Sequence, residues 1–159
     1  MKKIFVSRPN SYNPMYKSTV LRLEKIIRNR GMEPVTIGAT YFPNESPILA
    51  IKNKMQECDG IIILALPQIY VEKGISKKGS PSEASIVEKQ YPSPWNQIEG
   101  AMAYMLELPM MIIAEEGIND GLLENGTLPV FKNEYNLRSY HWIEQQNFLE
   151  PFNEWHSRL

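Results

Sequence analysis

The side chain best suited to chemistry in this sequence is the carboxylate of Glu99. Residues 93–107 open with Ser-Pro, a helix cap followed by proline at the first helical position, and their spacing predicts a helix. One stripe of that helix is otherwise apolar and has members three or four residues apart: Trp95, Glu99, Met102, Ala103 and Leu106. A carboxylate there loses hydration, which is usual only for paired or functional groups. Position alone leaves two interpretations open: a reactive group, or a structural carboxylate that caps its own helix electrostatically or pairs with Arg8 or a lysine of residues 71–92.

The other reactive residue types have simpler structural interpretations. Cys58, the only cysteine, lies at a predicted helix end and is typical of a small core residue. His141 and His156 are far from any cysteine cluster, so no metal site is expected. The chain contains neither a phosphate-binding glycine loop nor a nucleophile elbow. We therefore expect no bound cofactor.

The elements that must position Glu99 alternate between strand and helix. Strands are predicted from apolar or β-branched runs at 3–7, 34–38, 61–66, 110–114 and 139–143. Helices are predicted from apolar residues at helical spacing over 16–30, 46–58, 93–107 and 148–159. Continuous apolar runs are typical of strands buried on both faces, so 3–7, 61–66 and 110–114 should be the inner strands. The pattern predicts one α/β domain over residues 1–159: a three-layer, flavodoxin-like fold with a mainly parallel five-stranded sheet.

Two segments interrupt this alternation. Residues 71–92 combine charge with glycine, serine and proline, and offer few large apolar side chains to offset the entropy of ordering. We predict a mobile insertion there. Residues 115–136, rich in Gly, Asn and Glu, are predicted to form a loop. Because ligands bind beyond the carboxyl ends of parallel strands, the candidate site loops are 7–15, 66–93 and 115–127.

The overall charge and composition indicate which classes of partner to expect. A formal net charge of -1 gives no general reason to expect nucleic acid or an anionic membrane. No apolar run reaches transmembrane length, and the run after Met1 is too short for a signal peptide. A single cysteine suits a reducing compartment. We expect a cytoplasmic protein without a membrane partner.

Three segments resemble the Toll/interleukin-receptor (TIR) fold. Residues 4–8, Ile-Phe-Val-Ser-Arg, resemble its first strand and turn, and residues 51–66 resemble its central helix–strand unit. Residues 93–99, Ser-Pro-Trp-Asn-Gln-Ile-Glu, match the S-x-W-x-x-x-E box of that family. The glutamate of the box is catalytic in the members that cleave NAD. The resemblance therefore implies a catalytic Glu99 and a role in defence or signalling.

The chain also resembles the nucleoside 2-deoxyribosyltransferases. In those enzymes an aspartate precedes the third strand, as Asp59 does here. A nucleophilic glutamate opens the following helix in an E-x-x-x-A context, as Glu99 and Ala103 do. This second resemblance implies that Asp59 helps a base to leave.

Both families break or exchange an N-glycosidic bond at a ribose. Positive charge builds on the sugar as the base leaves, and a nearby carboxylate can stabilise it or attack the anomeric carbon. The resemblance implies that Ser7 and Arg8 face the phosphate or sugar end of a nucleotide. It also implies that Trp95 stacks on a base or closes an apolar wall, and that Asn96 binds ribose hydroxyls.

These observations predict a nucleotide-binding domain that cleaves the nicotinamide–ribose bond of NAD or a related nucleotide, which is its substrate. Two alternatives stay open. One is another enzyme, a nucleoside 2-deoxyribosyltransferase or a nucleotide N-glycoside hydrolase. The other is a non-catalytic module that senses a nucleotide or assembles with copies of itself through Tyr70, Lys77 and Lys78. A homo-oligomer is expected in any of these cases.

Overall fold

A computed structural model describes residues 1–159, in which five parallel strands form one sheet and two further strands form a separate hairpin. The strands are β1 (Lys2–Ser7), β2 (Met32–Val35), β3 (Gly60–Ala65), β4 (Ile69–Ser76), β5 (Ala84–Tyr91), β6 (Met110–Glu115) and β7 (Lys132–Tyr135). The helices are α1 (Lys17–Asn29), α2 (Pro47–Met55), α3 (Pro94–Met105) and α4 (Gln146–His156). None of them has the length and apolar composition needed to cross a membrane.

The sheet has the order β2-β1-β3-β6-β7, and all four pairings are parallel. The prediction that the runs in β1, β3 and β6 are the inner strands is confirmed. Alternate residues of β3 enter two different cores, Ile62 with Leu64 on one face and Ile61 with Ile63 on the other. This division explains why the run is apolar without a gap.

Helices cover both faces of the sheet, which confirms the three-layer α/β prediction. Leu23 of α1 and Phe152 of α4 lie in the core on one face, and Ile51 of α2 and Ala103 of α3 lie in the core on the other. The four predicted helices agree with the observed ones to within three residues at each end.

Helix α3 approaches β3 closely because of Gly100. A Cβ at this position would lie 2.9 Å from Ile63 Cδ1 and 2.9 Å from a methyl group of Leu122. The segment after β6 packs on another part of α3, where Leu122 N–H donates to Gln97 Oε1 at 2.7 Å. The buried face is consequently rotated from the predicted stripe and consists of Asn96, Glu99, Gly100 and Ala103.

The segment predicted as an irregular insertion forms a regular hairpin. Strands β4 and β5 pair antiparallel, with Ile69 opposite Tyr91 and Ser76 opposite Ala84. The sequence did not indicate these strands, because cross-strand backbone hydrogen bonds order a segment even where few side chains are buried. The mobility of the hairpin as a unit stays a prediction.

The last strand also differs from the prediction. Residues 139–143 contribute to a short 3-10 turn, His141–Glu144, which buries Trp142 and Ile143. The fifth strand is instead β7, inside the segment predicted to be a loop. Its polar side chains are buried with partners, since Lys132 Nζ donates to Ile118 O at 2.7 Å and Asn133 Nδ2 donates to Ile112 O at 3.0 Å. Strand β2 ends at Val35, three residues before its predicted end.

Candidate functional site

Glu99 lies at the carboxyl end of β1 and borders a cavity of about 210 Å³. The walls come from four places: residues 8–10 after β1, residues 37–38 after β2, the start of α2 and the start of α3. This is the edge of a parallel sheet at which ligands bind. Of the predicted candidate loops, only 7–15 and the end of 66–93 contribute to the cavity.

Burial dominates the electrostatics of Glu99. Only 8% of the residue is exposed, and this desolvation raises the pKa of its carboxyl to about 7, although a hydrogen bond from Ser7 lowers it. Glu99 takes part in none of the ion pairs of the molecule. Its carboxyl group is therefore poised to gain or lose a proton near neutral pH.

The simpler interpretations of Glu99 lack the contacts they need. Arg8, one proposed partner, forms an ion pair with Glu24 at 3.0 Å instead. The amino end of α3 is already capped by Ser93, whose Oγ accepts the Trp95 N–H at 3.2 Å. The carboxylate is thus neither paired with a cation nor required as a cap.

Ser7 and Asn96 meet beneath Glu99. Asn96 is 1% exposed, and its Nδ2 donates to Ser7 O at 3.1 Å and to Ser7 Oγ at 3.0 Å. Because Ser7 Oγ accepts from Asn96, its own proton is free to point at Glu99. The buried Asn96 Oδ1 has no hydrogen-bond partner, and the expectation that Asn96 binds ribose hydroxyls stays a prediction. Asn96 holds Ser7 in place, and Ser7 in turn hydrogen-bonds the carboxyl group of Glu99.

Arg8 and Trp95 both line the cavity, and the ligand contacts that the resemblance implies for them stay predictions. The Arg8 guanidinium is fixed by Glu24 and by the Pro9 carbonyl, 3.1 Å from Nη1, while its buried Nε has no hydrogen-bond partner. Trp95 is 43% exposed and presents an aromatic surface at the rim. The indole ring can therefore contact a ligand that reaches Glu99, and Arg8 supplies a fixed positive charge to the cavity wall.

Asp59 lies outside the site. It precedes β3, and its Oδ2 accepts the Lys3 N–H at 2.8 Å. Six strand residues at a rise of about 3.3 Å place it roughly 20 Å from the carboxyl edge of the sheet. An aspartate before a strand lies at the amino edge, so the assignment of Asp59 to substrate binding was wrong.

Two residues of the cavity were missed in the sequence. Asn10 Nδ2 donates to Ile37 O at 3.0 Å and so ties the loops after β1 and β2 together. Gly38 has a φ of +75°, and a Cβ there would lie 2.5 Å from Asn10 Nδ2. Asn10 falls within a predicted candidate loop, but no local pattern in the sequence marks its pairing with Gly38.

The donor set of the cavity suits an organic ligand. No group of three or more His, Cys, Asp or Glu side chains in the structure is arranged to hold a metal ion. Glu99 is the only carboxylate that lines the cavity. The chemistry available to it is proton transfer, attack on carbon, or stabilisation of a nearby positive charge.

No model of a known protein family matches the chain, and no curated protein sequence matches it. The chain is similar to the solved structure of the CMP N-glycosidase BcmB from Clostridium botulinum. The identity is 16%, the match covers 90% of this chain and 97% of that chain, and the TM-score is 0.49.

Proposed function

We propose that this chain cleaves the N-glycosidic bond of a nucleotide or nucleoside and that Glu99 is its catalytic carboxylate. The observation that carries the proposal is the state of Glu99: buried, unpaired and beside a cavity at the carboxyl edge of the sheet. Burying a carboxylate without a cation lowers the stability of the fold, and a functional requirement explains why the group is kept there. The resemblance of residues 93–99 to a glutamate box of NAD-cleaving proteins gives the type of bond.

The ionised form of Glu99 performs the reaction. As the bond between the base and the anomeric carbon breaks, its electron pair leaves with the base and positive charge develops on the ribose. Glu99 stabilises that charge or attacks the anomeric carbon, and water then completes the hydrolysis. The hydrogen bond from Ser7 favours the ionised form against the effect of burial.

The substrate that fits this site best is NAD or a related pyridinium nucleotide. Nicotinamide leaves a cationic pyridinium as a neutral molecule and needs no proton, whereas a purine or pyrimidine usually needs a general acid. Asp59, the sequence candidate for that acid, is at the other end of β3. The absence of a second carboxylate from the cavity wall favours NAD cleavage over 2-deoxyribosyl transfer.

The test is a screen for released base. The protein is incubated with NAD, nucleosides and nucleoside monophosphates, and free base is measured by chromatography. We expect nicotinamide from NAD, and a loss of at least about a thousandfold in turnover for Glu99→Gln, which keeps the shape and removes the charge. Glu154→Gln, an exposed glutamate of α4, is the matched control and should be fully active. Equal turnover by wild type and Glu99→Gln would refute the proposal, and so would base release from none of the compounds.

A self-assembling module is the second candidate, and the hairpin favours it. Four large apolar side chains are more than half exposed on it: Ile69, Tyr70, Ile75 and Val87. Isolated two-stranded hairpins are marginal in water, so a second copy packed on this surface would stabilise it. Sedimentation velocity at increasing concentration tests this idea, and Val87→Ser should shift the equilibrium towards monomer. A monomer at every concentration would contradict it.

A further inference from the structure

A second cavity lies at the carboxyl edge of the sheet, on the other side of the loop after β1. Its volume is about 420 Å³, and its walls include residues 13–16, which lead into α1, and residues 67–70, which follow β3. From β1 the chain passes to α1 on one face of the sheet, and from β3 it passes through the hairpin to α3 on the other. The strand order reverses between β1 and β3, and ligands of open parallel sheets bind at that position.

One arginine dominates this cleft. The side chain of Arg138 is more than half exposed, and its Nε lies 3.4 Å from Glu115 Oε1. Glu115 is 2% exposed at the end of β6, and its other oxygen accepts the Leu137 N–H at 2.6 Å. Burial raises the pKa of the Tyr16 hydroxyl, and the neighbouring Arg138 counteracts this shift. The buried carboxylate therefore fixes one edge of the guanidinium and holds the side chain at the cleft.

The remaining lining residues suit an anion that carries a ring. No acidic side chain lines the cleft, and the amides of Asn13, Gln68 and Gln90 can donate to oxygens of a ligand. Tyr70, at the base of the hairpin, is more than half exposed and offers a flat aromatic surface. Arginine with several amide donors suits the three oxygens of a phosphate, and a phenol ring suits a base.

We propose that the cleft at Arg138 is a second ligand site, which binds a phosphate monoester of a nucleoside. The phosphate lies against Arg138 and the ring against Tyr70. This binding is independent of Glu99, whose cavity has other walls. The site would hold a nucleotide whether or not Glu99 breaks a glycosidic bond.

Calorimetric titration with adenosine 5′-monophosphate, in the Glu99→Gln background so that no turnover consumes the ligand, tests the proposal. Adenosine is the comparison without phosphate, and inorganic phosphate is the comparison without a ring. We expect the monophosphate to bind more tightly than adenosine and Arg138→Gln to weaken it by about tenfold or more. Arg158→Gln, an exposed arginine outside the cleft, should leave the affinity unchanged.

Tyr70→Ala separates ring binding from phosphate binding and keeps the test open if Arg138→Gln does not fold. This variant should weaken the monophosphate several-fold and leave the affinity for inorganic phosphate as it was, since only the ring contacts Tyr70. The proposal is overturned if the monophosphate binds no better than adenosine. It is also overturned if Arg138→Gln and Arg158→Gln bind alike. Neither outcome depends on release of base by Glu99, so the two proposals fail separately.

Discussion

Glu99 and the β4–β5 hairpin are neighbours in the chain, yet they depart from the usual distribution of polar and apolar side chains in opposite directions. Glu99 is a carboxylate almost removed from water without a cation. The hairpin holds large apolar side chains in water, and its strands pack chiefly against each other. A buried charge lowers stability, whereas exposed apolar groups forgo stability that burial would supply. Neither departure is explained by the stability of this chain alone.

The largest expected contrast between the two regions is the loss of stability when one isoleucine is truncated in each. Ile62 of β3 is fully buried, and Ile75 of β4 is more than half exposed. Ile62→Ala removes buried methyl groups and leaves a cavity, so we expect a loss of about 2–5 kcal/mol. Ile75→Ala makes the same chemical change, and we expect a loss below about 1 kcal/mol. Urea unfolding of both variants under one set of conditions measures the difference. Similar losses would mean that a partner covers the hairpin.

Glu99 itself should make stability depend on pH. Its pKa in the folded chain is about 7, against an ordinary value of 4.5, so the folded state binds more protons between these pH values. Stability should therefore fall as the pH rises from 4.5 towards 7, and above 7 the full penalty of about 3 kcal/mol is present. Glu99→Gln lacks this penalty.

The measurement is the difference in unfolding free energy between Glu99→Gln and wild type, taken at pH 5 and at pH 8. The difference should move in favour of the variant as the pH rises, because the other titrating groups are common to both proteins. The exposed control Glu154→Gln should show a nearly constant difference. A Glu99→Gln protein that loses stability at pH 8 would indicate a structural ion pair or cap instead.

Strands that are buried on both faces could be predicted from the sequence. Strands whose formation depends on tertiary contacts could not. The runs in β3 and β6 were recognised because each residue meets a core. Strand β7 was missed, since its polar residues are buried only through hydrogen bonds to the loop after β6 and to β6 itself. The hairpin was missed because neither of its faces is buried enough to impose alternation.

The candidate site shows the same division. Glu99 was identified because a charge within an apolar stripe is visible in the sequence. Asp59 was assigned to the site wrongly. Its position next to β3 was recognised, but a residue that precedes a strand lies at the amino edge of the sheet, away from the cavity. Asn10 and Gly38 were missed because their contact joins two loops that lie 28 residues apart in the chain.

The smallest expected effect concerns the free energy needed to expose the hairpin amides. Large free energies of opening are expected for β3, whose amides lie between two parallel neighbours, and these should approach the global stability of the domain. The hairpin is held by its own ladder alone, so residues 69–91 should open for about 1–2 kcal/mol. Hydrogen exchange followed by mass spectrometry resolves the two classes.

Adding adenosine 5′-monophosphate should slow exchange at the base of the hairpin, near Tyr70 and Gln90, and leave the turn at residues 77–83 unchanged. Uniform strong protection of the hairpin in the free monomer would contradict its mobility, because a packed element does not open at so small a cost.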